Sequence, residues 1–150
     1  MICIKEKMFI NCSLRVITFQ SPPVVSSNLC DSHQVNILNI VFGADIISRL
    51  SFGSLLDLKF LAISIAKVKD KLDDFELSQY IKEVKAYLLQ TDIHPKLYLP
   101  GKIYHILNEK VPIVKELNFR AFSDIIVDRF CFFDHSLTSL IKAFEKGAAK

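Results

Sequence analysis

Apolar and polar positions change period several times along this chain, and the changes mark its elements. Residues 14–20 carry Val16, Ile17, Thr18 and Phe19 in succession, the β-branched and aromatic density of a strand. The run stops at Pro22-Pro23, which cannot continue a ladder. It shows no alternation, so it predicts burial on both faces, as in a parallel sheet. A second strand spans residues 35–42 (VNILNIVF) and ends at Gly43. Residues 24–31 leave room for a short helix between the two strands. That is a compact crossover and predicts parallel pairing.

The period then lengthens. Leu55, Leu56, Leu58, Phe60, Leu61, Ile63, Ile65 and Val68 among lysines predict a helix over residues 54–71. Its broad apolar face packs inward or lies on a membrane surface. Asp73-Asp74 offer an N-cap to a second helix running to Gln90, with Phe75, Leu77, Tyr80, Ile81, Val84, Tyr87 and Leu88 at helical spacing. Residues 97–99 and 103–106 flank Pro100-Gly101 as a strand with a bend. A turn over residues 108–112 leads to an antiparallel strand over 113–118. A short helix is expected over 120–127. A last helix opens at Asp134-His135-Ser136 and runs to about Glu145, with Leu137, Leu140, Ile141 and Phe144 inward and Gly147 as its C-cap. Strands with interleaved helices make this an α/β chain. Two parallel strands are few for a doubly wound sheet, so the sheet reads as part of a larger one.

Composition narrows the class. The 150 residues are 51% hydrophobic and 23% charged, which excludes global disorder. A net charge of +3 is too mild to argue for nucleic acid. Lys5, Glu6 and Lys7 interrupt any signal-peptide core, and no apolar run approaches the ~18 residues of a membrane span. The expected location is the cytoplasm, with peripheral membrane contact allowed. Cys3, Cys12, Cys30 and Cys131 form no metal template and read as buried thiols. No glycine-rich phosphate loop and no metal spacing is present, so no cofactor and no metal are expected. His33, His94 and His105 lie far apart, and His105, inside an apolar strand, reads as a core histidine.

Two residues stand out by placement. Asp45 follows the end of the second strand, where functional groups collect in open α/β sheets. His135 precedes the last helix. The order acid then histidine is that of an α/β hydrolase. A carboxylate holds the imidazole tautomer, and the imidazole moves the proton in acyl transfer. The same two residues also suit plainer roles, a turn aspartate and a helix-end histidine.

Four segments in order resemble the class 3, fungal-lipase-like lipases and their diacylglycerol-lipase branch. They are Thr18-Phe19-Gln20-Ser21-Pro22-Pro23-Val24-Val25-Ser26; Val41-Phe42-Gly43-Ala44-Asp45-Ile46-Ile47-Ser48-Arg49-Leu50-Ser51, like the acid loop; Leu97-Tyr98-Leu99-Pro100-Gly101-Lys102-Ile103-Tyr104-His105-Ile106-Leu107, like a strand with a Tyr-Pro-Pro-Gly bend; and Phe133-Asp134-His135-Ser136, like the dipeptide bearing the catalytic histidine. The resemblance implies that Asp45 is the catalytic acid and His135 the catalytic base. It implies a partial α/β-hydrolase sheet, with residues 1–150 as the C-terminal portion of the domain. The implied activity is acylglycerol ester hydrolysis, with an acylglycerol or lipid-interface substrate.

The chain departs from that family at Ser48, where proline is usual, and at Ala44, where a second aspartate is common. More seriously, it holds no Gly-x-Ser-x-Gly elbow, and no glycine precedes Gly43. Ser21, Ser26 and Ser136 are not on elbows. The expectation is therefore a triad lacking its serine, with the missing N-terminal half of the domain as a partner. This chain by itself is expected to be inactive. The alternative is a catalytically dead remnant that binds lipid or protein.

Overall fold

The computed structural model describes residues 13–30, 36–107 and 112–148. The first strong apolar runs form adjacent parallel strands: β1 (Val16–Phe19) pairs with β2 (Ile37–Phe42), Val16 opposite Ile37 and Phe19 opposite Ile40. Their connection carries a short turn of helix at Ser27–Leu29. It docks on the bend before β3 through an antiparallel bridge of Val25 with Tyr98. β3 (Lys102–Leu107) lies parallel to β2, and β4 (Ile113–Leu117) closes antiparallel on β3. The result is a mixed four-stranded sheet in the order β1-β2-β3-β4. The parallel pairing of β1 with β2 and the antiparallel return of β4 are those the sequence pattern predicts; β3 adds a third parallel strand that the pattern did not. The expected turn before β4 lies largely outside the described residues.

Asn39 locks the centre of this sheet. It is buried in β2, accepts from Thr18 on β1 and from Ser21 just past it, and donates to the Pro100 carbonyl before β3. Gly101 has φ +78°, and a Cβ there would overlap the Ile37 carbonyl, so the bend passes hard against β2.

Among the described residues, three helices accompany the sheet. Helix α1 (Phe52–Val68) starts two residues before the pattern suggests, because Ser51 and Ser54 form a reciprocal capping box. Helix α2 (Asp74–Thr91) starts where Asp73 caps it, with Glu76 completing the box. The two form a hairpin around Leu61, Val84 and Leu88. Helix α3 (Leu137–Ala148) packs Leu140 and Ala143 on Phe42 and Ile106 of the sheet. The opposite face of the sheet buries Val41 and Ile103 under Leu99 and Phe122.

Four expectations are corrected. β1 is not buried on both faces: Ile17 is 59% and Phe19 49% exposed. An apolar run has the same period whether its cover is present or not. Residues 120–127 do not form an α-helix; a single turn, Phe119–Phe122, gives way to irregular chain. Arg49 takes the carbonyls of Ala121 and Asp124, which a helix would have used internally. Leu137, Ile141 and Phe144 are exposed, since α3 meets the sheet through a narrow stripe. Gly147 lies within α3 rather than capping it.

Candidate functional site

The parallel strand β2 delivers its last residue, Phe42, to a tight turn, Gly43-Ala44, and Asp45 emerges from that turn at the carboxyl end of the sheet. The backbone amides of the turn and the Gly43 carbonyl have partners. Gly43 N–H donates to Ile106 O at 2.9 Å, and its carbonyl pairs with His105 Nε2 at 2.7 Å. Ala44 N–H donates to Asp134 Oδ2 at 2.8 Å. Asp45 N–H returns to Phe42 O at 3.2 Å, and Ile46 N–H reaches Cys131 O at 3.2 Å.

The Asp45 carboxylate is 0% exposed. Its Oδ2 accepts from Ser48 Oγ at 2.6 Å, and its Oδ1 accepts from Ile47 N–H at 2.9 Å and pairs with His135 Nδ1 at 3.0 Å. A buried carboxylate with three partners is held in one orientation. Residues 90 apart in the chain are thus brought into hydrogen-bond contact. The His135 ring is 43% exposed, and Nδ1 carries its one hydrogen bond among the described residues. In the tautomer whose Nδ1 donates to the carboxylate, Nε2 is the ring atom left with the lone pair. That is the arrangement a general base requires.

His135 is placed by the short bend before α3. Asp134 N–H donates to Phe130 O at 2.8 Å and Ser136 N–H to Phe133 O at 2.9 Å. Both bonds are made by backbone amides and set the course of the bend. Ser21 is engaged with Thr18 and Asn39, and Ser26 with Asn28.

His105 is the core histidine the strand pattern implies. It is buried beneath Gly43 and meets Phe122 edge-on. Burial lowers its pKa from the ordinary 6.5, and the Gly43 carbonyl pulls the other way. Burial likewise raises the Asp134 carboxyl, against the opposing bond from Ala44. Cys30 and Cys131 are buried thiols, as expected; Cys3 and Cys12 lie outside the described residues.

Sequence reasoning missed a second cluster. Asp57 on α1 pairs through Oδ1 with His94 Nδ1 at 2.7 Å and through Oδ2 with Lys96 Nζ at 2.5 Å. Lys96 is 3% exposed by its side chain. One turn earlier, a Cβ on Gly53 would overlap the His94 and Pro95 carbonyls. Gly53 and Asp57 share one helix face, so the cluster clamps the 94–96 segment onto α1. The only local sign of it was a glycine four residues before the one acidic residue of the helix.

Among the described residues no group of three acidic, histidine or cysteine side chains is arranged to hold a metal, and no helix is long and apolar enough to cross a membrane. No protein-family model, curated protein or solved structure matches the chain. The fold and site define an α/β chain in which a buried aspartate meets a half-exposed histidine at the carboxyl end of a parallel strand.

Proposed function

We propose that this chain is the C-terminal portion of a class 3 lipase-like serine hydrolase domain, with Asp45 as the catalytic acid and His135 as the catalytic base. The observation that carries the reading is the 3.0 Å contact between a fully buried carboxylate and a half-exposed imidazole at the strand ends. In this reading His135 Nε2 takes the proton of a serine hydroxyl as that oxygen attacks an acylglycerol ester. It then returns the proton to the departing glycerol oxygen. Asp45 keeps the ring in the useful tautomer and stabilises the imidazolium.

The 150 residues contain no Gly-x-Ser-x-Gly, so the serine and its oxyanion hole come from outside them. The sheet supports a missing neighbour. By register Ile17 and Phe19 share a face with Leu38, Ile40, Tyr104 and Phe42, and α3 covers only the Phe42 end. A hollow of about 510 Å³ lies over the uncovered end. The outer edge of β1 has no strand partner among the described residues. A preceding strand and helix, the N-terminal half of the domain, suit both vacancies. A cytoplasmic enzyme that meets its lipid at an interface fits the composition.

The test is the DNA in frame upstream of Met1. The expected finding is a coding segment for a Gly-x-Ser-x-Gly elbow. The longer product should hydrolyse p-nitrophenyl butyrate and lose that activity in H135A and D45A. Full activity in the H135A product overturns the proposal. The absent elbow motif favours a second reading, a remnant that binds lipid or protein without turnover. Upstream DNA with no elbow would select it.

A further inference from the structure

We propose that Asp134 and Gln20 are positioning residues, which lock the two loops of the aspartate–histidine pair together from behind. The functional meaning of this inference rests on the hydrolase reading; its geometry does not.

Asp134 immediately precedes His135, and Ala44 immediately precedes Asp45. The Asp134 carboxylate accepts the Ala44 N–H at 2.8 Å, so the two loops are joined one residue upstream of each member of the pair. This bond and the one between Asp45 and His135 both span 90 residues of sequence. Two such links fix both separation and relative rotation, whereas one leaves the imidazole free to swing. Gly43 makes the approach feasible. It sits at φ +55°, and a Cβ there would overlap the Asp134 carboxylate.

Gln20 completes the lock from β1. It is 3% exposed, and its Nε2 donates to the Asp134 carbonyl, the carbonyl that leads into His135. Its backbone holds φ 51°, which is uncommon for a residue with a side chain and persists where surrounding structure demands it. The carboxyl ends of β1 and β2 and the bend before α3 thus converge on one residue. Asp134 acts by accepting a hydrogen bond, so an amide oxygen at this position serves as well as a carboxylate.

The experiment uses the full chain labelled with ¹⁵N, at a pH where the rings are neutral. Imidazole spectra report the ratio of the Nδ1–H to the Nε2–H tautomer of His135. His94, held by Asp57 at 2.7 Å, is the internal reference. Simple destabilisation moves both rings; loss of positioning moves His135 alone. The expected result is a roughly tenfold fall in the His135 ratio in D134A and in Q20L, with D134N within about twofold of wild type. If D134A does not fold, Q20L and D134N decide. Wild-type ratios in Q20L and D134A, with D45A still collapsing the ratio, overturn the positioning role and leave the pair intact. A D134N loss as large as that of D134A overturns the acceptor role. A wild-type ratio equal to that of D45A overturns both this inference and the hydrolase reading.

Discussion

Gly43 and Asp134 approach so closely that no Cβ fits between the glycine Cα and the carboxylate. This contact brings the acid loop after β2 against the bend before α3, and the aspartate–histidine pair forms directly above it. The Gly43→Ala variant should therefore lose about 2–4 kcal/mol of stability, from left-handed backbone strain and the displaced carboxylate together. Urea unfolding measures it. A loss under about 0.5 kcal/mol would show that the contact is loose.

The clamp at Asp57 leads to a sharper stability contrast. Asp57→Ala leaves the Lys96 ammonium buried without its carboxylate, and the expected loss is about 3–5 kcal/mol. The double variant D57L/K96M removes both charges and should recover most of it. A double-mutant cycle on unfolding midpoints checks the coupling. Equal costs for the single and double variants would contradict it.

Burial of His105 has a consequence for pH. Its folded pKa lies below the ordinary 6.5, so the unfolded chain binds the proton more tightly. This group's stabilising contribution is complete above about pH 6.5 and falls away as the pH drops towards the lowered folded value. Asp134 acts in the opposite sense: its folded pKa lies above the ordinary 3.8, so acidification through that window relieves a penalty. Stability measured from pH 8 to 5 should decline in wild type and decline less in H105Q, which keeps a donor for the Gly43 carbonyl. Identical slopes would remove His105 from the account.

For the isolated chain, p-nitrophenyl butyrate turnover should equal the buffer background, and H135A should change nothing. The oxyanion hole supplies the residual ~10³–10⁴-fold rate that triad knockouts retain, and it is built with the serine elbow. Turnover by the chain that vanishes in H135A would place a nucleophile among these residues.

The edge of β1, unpaired among the described residues, should drive self-association. Ile17→Lys sets a charge in mid-strand on an exposed position, so it should raise the monomer fraction with a stability change within about 0.5 kcal/mol. Light scattering against concentration measures this. Unchanged association would move the contact elsewhere.

Much of the framework was legible because its signals are local. The strand density of residues 16–19 and 37–42, the Asp73 cap and the antiparallel return after β3 are each specified within a few residues. The segment after Phe122 was misread for the same reason. Its helix-compatible residues are overridden by Arg49, which comes from far along the chain to claim two carbonyls. The inward set of α3 failed because helical period gives a face but not the width of the contact.

Asp45 and His135 could be singled out from order and placement: one follows a strand, the other precedes a helix. Whether their side chains meet depends on the register of β2 against β3 and on where α3 lands, and neither is encoded near either residue. Gln20, Asp134 and the Asp57–Lys96 clamp belong wholly to that second kind of information. Local sequence determines which backbone states are cheap. Tertiary packing alone decides which polar groups lose water together, and a buried group without water must find a partner wherever the fold has brought one.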